Sequence, residues 1–408
     1  MKINLQRAIS SLTGALDLVG IDEVHHGKRV ALMAVAIAEE MHWPQARCEE
    51  MLYAAMIHDC GVSRVKEHRA ITEMLEWEGA EDHCVRGEQY LLACPPLARF
   101  STIVRWHHTR WETLLKQEID PDVRLEANLI FLADRADVLL APYFAGSSLR
   151  NEILWEHTGI VERIRSLGGT LFSPELVDAF CRAADRESFW LAMDPGYIED
   201  EIEAHFDRSL PVELDTADVL ALAKLFAHTV DSKSSYLLEH STRVAKIARY
   251  LAEASGLRGE HLDQVEVAGL LHDLGKLRVP EEIIDKPGPL NREERAFVMR
   301  HSYDTGHLLK KVFPTLPIAD WAAMHHENLL GTGYPFRHQA KVIPHEARLI
   351  AVADIFQALS QERPYRGHMG KIEVMSRIEG LCNQGRIDPG IVGLLRTGLD
   401  HCYALAVE

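Results

Sequence analysis

The strongest constraint on this chain is that it carries one pattern of histidines and aspartates twice. His26-Gly-Lys-Arg-Val-Ala and His240-Ser-Thr-Arg-Val-Ala match at an offset of 214 residues, and His58-Asp59 matches His272-Asp273 at the same offset. His83 matches His301 and His107-His108 match His325-His326 at 218, while Leu129-Ile130-Phe-Leu-Ala-Asp134 matches Leu349-Ile350-Ala-Val-Ala-Asp354 at 220. The order His, His-Asp, His, His-His, Asp recurs with 32 residues between its first two members and 24 between its third and fourth. Such spacing means one folding unit built twice, a pattern that has to be recognised before any element is assigned. The 408 residues leave room for two units of roughly 190 residues, each large enough to bury a core.

The repeat continues past the last Asp. Val161-Glu-Arg-Ile164 parallels Met375-Ser-Arg-Ile378, and Ser173-Pro174 parallels Asp388-Pro389, two pairs suited to the N-cap and first turn of a helix. The first unit is therefore expected over 1–186. Between Asp194 and Asp218 nine acidic side chains face one basic one, with Pro195, Gly196 and Pro211 interspersed. Residues 187–214 read as an acidic linker with room for a short helix at Ile198–Phe206, and 215–408 as the second unit. Apolar residues elsewhere follow helical spacing: Leu237, Val244, Ile247 and Leu251 around His240, then Val265–Leu271, Arg292–Val312, Ile318–His326 and Ala347–Leu359. No sustained period-two alternation between hairpin turns competes with this. Both units are expected to be all-α.

Composition narrows the function classes. The formal net charge of −17 disfavours a polymeric nucleic acid as partner. The seven cysteines are odd in number and form no CxxC pair, so they read as reduced thiols. The N-terminus lacks an apolar signal segment and no run of about 18 uncharged apolar residues occurs, so the expected location is cytoplasmic, without a membrane partner. The 22 histidines are the anomaly, since imidazole in bulk serves mainly metal ligation and proton transfer.

Imidazoles and carboxylates delivered from separate helices around a His-Asp pair suit two divalent cations, with nitrogen favouring Fe, Mn, Ni, Co or Zn over Mg or Ca. An Asp can bridge two metals while its neighbouring His binds one. A metal pair about 3.5 to 4 Å apart acidifies a bridging water to hydroxide, a nucleophile for attack on phosphorus. A lone histidine is more often a satisfied core residue than a ligand, but seven positions in a repeated register reverse that weighting; His68, His205 and His228 keep the surface reading. Lys276, three residues after Asp273, is placed to stabilise charge on a phosphate. Gly331-Thr-Gly333-Tyr334-Pro335 offers a turn with an aromatic face for base stacking, and Arg363-Pro-Tyr-Arg366 offers forked donors for phosphate or a guanine edge.

At these residues the sequence resembles the HD superfamily of metal-dependent phosphohydrolases, and its second copy resembles the HD-GYP branch. The resemblance rests on His272-Asp273-Leu-Gly-Lys276, on His325-His326-Glu327 followed by the Gly331–Pro335 turn, and on Asp354 followed by Arg363–Arg366. It implies an all-α domain with a binuclear or trinuclear iron or manganese centre. It further implies hydrolysis of a 3′,5′-cyclic dinucleotide, cyclic di-GMP or 3′,3′-cyclic GMP-AMP, to the linear dinucleotide and sometimes to mononucleotides, in bacterial second-messenger signalling. Carried over by position, His240, His272, Asp273, His301, His325, His326 and Asp354 are the metal ligands, with Asp273 bridging. Asp273 and Lys276 would act in catalysis, and Lys276, Gly331, Tyr334, Arg363 and Arg366 would touch substrate. Trinuclear members place a Glu four residues before the first ligand His; Tyr236 stands there, so two metals are expected. Leu330-Gly331 replaces the usual Asp-Gly, which bears on loop conformation and base preference.

The first copy resembles a plain HD domain. It keeps a full apparent ligand set for a second metal site, His26, His58, Asp59, His83, His107, His108 and Asp134. Val62 or Ser63 stands where a Lys would be, Thr109-Arg110-Trp111-Glu112 follows the double His without a glycine turn, and Ala141-Pro-Tyr-Phe144 replaces the Arg-bearing segment. A regulatory or scaffolding role follows, with a repeat kept only for packing as the alternative. An HD domain ahead of an HD-GYP domain is similar to the arrangement of certain bacterial cyclic GMP-AMP phosphodiesterases. The competing functions are a non-hydrolysing cyclic dinucleotide receptor and a nucleotidase acting on nucleoside phosphates. A homodimer, or contact between the two HD domains, is the expected association.

Overall fold

The computed structural model describes residues 1–20, 25–76, 79–144, 146, 148–234, 238–361, 367 and 369–407. It is helical throughout, as the periodicity requires; strands among the described residues are limited to the two-residue segments Ile3–Asn4 and Glu213–Leu214. Two compact units form, Asn4–Val212 in one and Met1–Ile3 with Glu213–Glu408 in the other.

Each unit is built on the helix that opens with its first ligand histidine. In the first, His26–Glu40 packs against Gln45–Met56, Pro121–Leu140 and Pro174–Ala184, and Val30, Ala31, Ala34, Ile37 and Ala38 are wholly buried. In the second, His240–Ala254 packs against Glu260–Leu271 and His345–Ser360, with Val244, Ile247, Ala248 and Leu251 as the buried stripe. At roughly 1.5–3 kcal/mol per fully buried Val, Ile or Leu, these stripes supply most of the drive for docking the spine helix. The helix that ends in His-Asp and the helix that carries the last Asp thus both pack on it in each unit.

Local signals set the ends. Asp215 and Asn291 each form a capping box, with Asp218 and Glu294 respectively, and Asp388 accepts from the Gly390 and Ile391 amides ahead of Pro389. Ser173 occupies the N-cap position of Pro174–Ala184 as expected, yet its side chain makes no cap hydrogen bond. Its N–H instead donates to Asn128 Oδ1 at 2.8 Å, and Asn128 Nδ2 donates to the Leu171 carbonyl.

The segment 187–214 is not a linker up to residue 212. Glu187–Leu191 and Ile198–Phe206 are helices of the first unit, burying Phe189, Trp190, Ile198, Ile202 and Phe206, with Met193 buried between them. Trp190 Nε1 donates to the Ala184 carbonyl, and Glu199 pairs with Lys28 at 2.6 Å. Apolar positions 198, 202 and 206 share one helical face, so the acidic majority occupies the opposite face and masks the pattern. The division between units falls at Val212–Glu213. No helix among the described residues is long and apolar enough to cross a membrane.

Candidate metal centre

The second unit brings all seven expected ligands to one place. His240 starts its helix, His272 follows Leu271 at the end of another, His301 lies within Arg292–Val312, His325 and His326 follow Ile318–Ala323, and Asp354 lies within His345–Ser360. The Asp273 carboxylate is the hub: Oδ2 lies 3.4 Å from His240 Nε2 and 3.3 Å from His272 Nε2, and Oδ1 lies 3.3 Å from His301 Nε2 and 3.7 Å from His325 Nε2. Asp354 Oδ1 stands 3.4 Å from His240 Nε2 and 3.9 Å from His272 Nε2. One carboxylate therefore faces two clusters of nitrogens, as a bridging ligand does.

The ring orientations are fixed from behind. His240 Nδ1 is bonded to Gln357 Oε1 at 2.6 Å, His272 Nδ1 to the Gly269 carbonyl at 2.7 Å, His325 Nδ1 to the Ala322 carbonyl at 2.6 Å, and His301 Nδ1 to the Val298 carbonyl. Committing Nδ1 outward leaves Nε2 pointing in, the usual support for a metal-binding imidazole. His240 Nε2, His272 Nε2 and Asp273 Oδ1 are buried with no hydrogen-bond partner. Buried polar atoms are rarely left so, and the groups His240–His272–Asp273, His301–His325–His326 and His272–His325–Asp354 are each close enough to share an ion. The donor set fits a pair of divalent transition metals.

The charges agree. Burial opposes ionisation of Asp273 and Asp354, but for Asp273 the neighbouring imidazoles and Lys276, and for Asp354 the imidazoles, outweigh it and hold both carboxyls well below the usual range. Burial, reinforced by adjacent imidazoles, keeps His325 well below the ordinary histidine value and His326 at about 3, the neutral form that ligates.

Lys276 extends from the turn Leu274–Arg278 and bonds Asp273 Oδ2 at 2.5 Å while remaining partly exposed. The turn sits tightly on the His301 helix: a Cβ at Gly275 would lie 2.2 Å from the His301 carbonyl oxygen, so only glycine fits. Tyr334 packs its ring 4.7 Å from that of His326 and so stands beside one of the expected ligands. Gly331 adopts φ +72°, and a Cβ at Gly333 would meet the His326 carbonyl oxygen at 2.5 Å. Arg363, Arg366 and Tyr236 lie outside the described residues.

Sequence reasoning quoted Glu327 as part of a motif without a role, and missed Gln357 and Asp231. Glu327, buried, accepts from the Phe336 and Arg337 amides at 2.7 and 3.0 Å through Oε1 and from the His338 amide at 3.0 Å through Oε2. Gln357, three residues after Asp354, orients His240. Asp231 caps the His240 helix from outside, accepting from Ser241 N and Oγ at 2.9 and 2.7 Å.

The first unit assembles its seven residues in the same geometry. Asp59 Oδ2 lies 3.7 and 3.5 Å from His26 and His58 Nε2, Asp59 Oδ1 lies 3.4 and 3.7 Å from His83 and His107 Nε2, and Asp134 Oδ1 lies 3.6 Å from His26 Nε2. His108 Nε2 stands 3.7 Å from Asp134 Oδ2. His58, Asp59, His108 and Asp134 all carry buried atoms without hydrogen-bond partners, so this set also fits metal. Its surroundings differ. Arg135, itself buried, bonds Asp134 Oδ2 at 2.7 Å, and the position of Lys276 is taken by buried Val62. His68, read as a surface residue, is buried and lines a cavity with His26, His58 and Asp59.

Comparison with known proteins agrees with this anatomy. An HD domain profile matches residues 24–139 and another HD domain profile matches 224–391. The chain is 36% identical over 414 residues to a 3′3′-cGAMP-specific phosphodiesterase 1 of Vibrio cholerae, covering 99% of this chain and 94% of that one. It is 32% identical over 179 residues to a cyclic di-GMP phosphodiesterase of Pseudomonas aeruginosa, covering 43% of each. A crystal structure of a cyclic GMP-AMP-specific phosphodiesterase of V. cholerae shares the fold, with a TM-score of 0.64 at 22% identity over 98% of both chains. With a relative of this identity along almost its whole length and two HD domains in order, the chain belongs to the HD-GYP phosphodiesterase family.

Proposed function

We propose that the second unit hydrolyses a cyclic dinucleotide, 3′,3′-cyclic GMP-AMP or cyclic di-GMP, to the linear dinucleotide. The observation that carries this reading is the convergence of five imidazoles and Asp354 about Asp273 with Lys276 on the same carboxylate. Relatives named for cyclic GMP-AMP and cyclic di-GMP support the substrate class. His240, His272, Asp273 and Asp354 would hold one metal and Asp273, His301, His325 and His326 the other; iron or manganese is the proposed pair. When bound, such a pair supplies Lewis acidity toward phosphoryl oxygens and lowers the pKa of water.

The chain's own groups do the rest. Water adds across one P–O bond; the released sugar oxygen takes a proton and phosphorus keeps the new oxygen. Lys276 stands at the reacting phosphate and offsets the charge that grows on it, in a setting partly screened from water where such a cation counts for most. Asp273 keeps that ammonium in place. Tyr334 and Gly331 form the wall beside His326 against which a base is received. The first unit, lacking the lysine and the glycine turn and with Asp134 tied to Arg135, is proposed to hold metal in a regulatory or scaffolding role.

The test is product chromatography on anaerobically purified full-length protein of measured metal content, offered both cyclic dinucleotides and dGTP. A linear dinucleotide from at least one cyclic substrate, with dGTP left intact, is expected. Hydrolysis of dGTP alone, or tight binding of cyclic dinucleotide by metal-loaded protein without turnover, overturns the reading.

A further inference from the structure

The turn that carries Lys276 is pinned in the second unit by a buried cation. Lys233, two residues past the helix Thr216–Asp231, is 1% exposed, and its Nζ donates to the Leu277 carbonyl at 2.7 Å. Its neighbour Ser234 donates from Oγ to Asp285, at the far end of the segment that begins with the turn. Leu277 adjoins Lys276 within Leu274–Arg278, and the turn closes on itself through Lys276 N to the Asp273 carbonyl and Val279 N to the Lys276 carbonyl. Taking an ammonium out of water is costly. Burial pulls the Lys233 pKa down to about 8, with Glu281 and Glu282 acting the other way. An apolar side chain of similar length would fill the space without that cost, and the bond to the Leu277 carbonyl is one return for keeping the charge.

The internal repeat supplies a control. At the offset that pairs His58-Asp59 with His272-Asp273, Lys233 corresponds to Val19 and Lys276 to Val62, both 1% exposed. The two lysines occur together in the unit that has the substrate loop and are valines together in the unit that lacks it. The buried carboxylate two residues earlier behaves differently, because both units keep it. Asp231 caps the His240 helix, and Asp17 accepts from the His25 and Gly27 amides at 3.0 and 3.4 Å. A feature common to both units serves the ligand set, whereas one confined to the second serves what only the second does.

We infer that Lys233 is a positioning residue for Lys276: by holding the Leu277 carbonyl it fixes the turn that keeps the Lys276 ammonium on Asp273 and at the reacting phosphate. The inference rests on the reading of Lys276 given above. Lys233 is assigned this role through the turn, by way of the Leu277 carbonyl.

The experiment measures kcat, KM and metal content of full-length Lys233→Met, Lys276→Met and the double variant with the cyclic dinucleotide that wild type turns over. Lys233→Met should lower kcat by about tenfold, in the range found for groups that orient an active side chain, with KM within about twofold and metal content unchanged. The double variant should be no slower than Lys276→Met alone, because nothing remains to be positioned. Lys233→Gln, which keeps a donor for the carbonyl, should recover part of the loss, and it carries the test should Lys233→Met fail to fold. Wild-type kcat in both Lys233 variants, independent losses that multiply in the double variant, or loss of metal overturns the inference. Full activity in Lys276→Met overturns it together with the reading of Lys276; loss in Lys276→Met with none in the Lys233 variants overturns the inference alone.

Discussion

In the first unit His26 leans on Asp137 at 2.7 Å, and Asp137 is gripped by Arg29 through Nε and Nη2 at 2.5 and 2.9 Å. In the second unit the matching histidine, His240, leans on neutral Gln357, and the matching arginine, Arg243, turns outward to Glu239. Arg135 covers Asp134 where Ile355 follows Asp354, and Val62 stands for Lys276. The distances from the central Asp to the surrounding imidazoles are thus alike in the two units, 3.4–3.7 Å in the first and 3.3–3.7 Å in the second, while the charges behind them are redistributed. The first unit buries its cations behind the ligands, where they neutralise carboxylates. Among the described residues of the second, Lys276 sits partly exposed on the Asp273 carboxylate. Similar distances within the two clusters therefore do not tell the units apart, and what differs between them is the placing of positive charge around each cluster.

The most severe way to break this comparison is to remove the hub of each centre. Asp273→Ala should abolish cyclic dinucleotide hydrolysis, by at least about 1,000-fold, since both metals lose their shared ligand. The same change at Asp59 should leave turnover within about fivefold of wild type. Steady-state rates with metal analysis of each variant decide it, and comparable losses from the two substitutions would mean that the units share the chemistry.

A smaller effect should separate the supports. Removing one member of a buried ion pair leaves an uncompensated charge and costs about 3–5 kcal/mol, while losing a neutral hydrogen bond costs about 1 kcal/mol. Asp137→Ala, which removes the carboxylate that Arg29 and His26 share, should therefore lower the denaturant midpoint of the first unit more than Gln357→Ala lowers that of the second. Equal shifts would show that the Arg29–Asp137–His26 chain does not carry the stability of the first centre.

How much of this was legible in the sequence depends on distance along the chain. The ligands were legible because they recur in register, and helices such as Arg292–Val312 because their apolar spacing is uninterrupted. The helix Ile198–Phe206 was hidden by acidic composition, although its buried positions obey the same period. The supports were not legible at all. Gln357, Asp137 and Arg135 look like ordinary helix-surface residues until the fold turns them inward, and Lys233 meets Leu277 across 44 residues that no local pattern links. His68 was misread for the same reason, since only tertiary contact buries it beside His26.

The mildest test concerns the loop that only the second unit possesses. Glu327 was visible as the third residue of the His-His-Glu motif, and at the matching position the first unit has Thr109 and no glycine turn. Its two oxygens collect three consecutive backbone amides, Phe336 to His338, just beyond Tyr334, so it ties the far end of the loop to the ligand pair His325-His326. Glu327→Ala leaves those amides to find water and lets the Tyr334 wall drift. We expect kcat/KM to fall by about 10- to 100-fold with metal content intact, the scale on which supporting groups act. Glu327→Gln keeps one acceptor oxygen for Phe336 and Arg337 and loses only the His338 bond, so its loss should be several-fold smaller. Metal lost together with activity in Glu327→Ala would move the residue from the substrate loop to the ligand scaffold, and the difference between the units would then begin at the metals themselves.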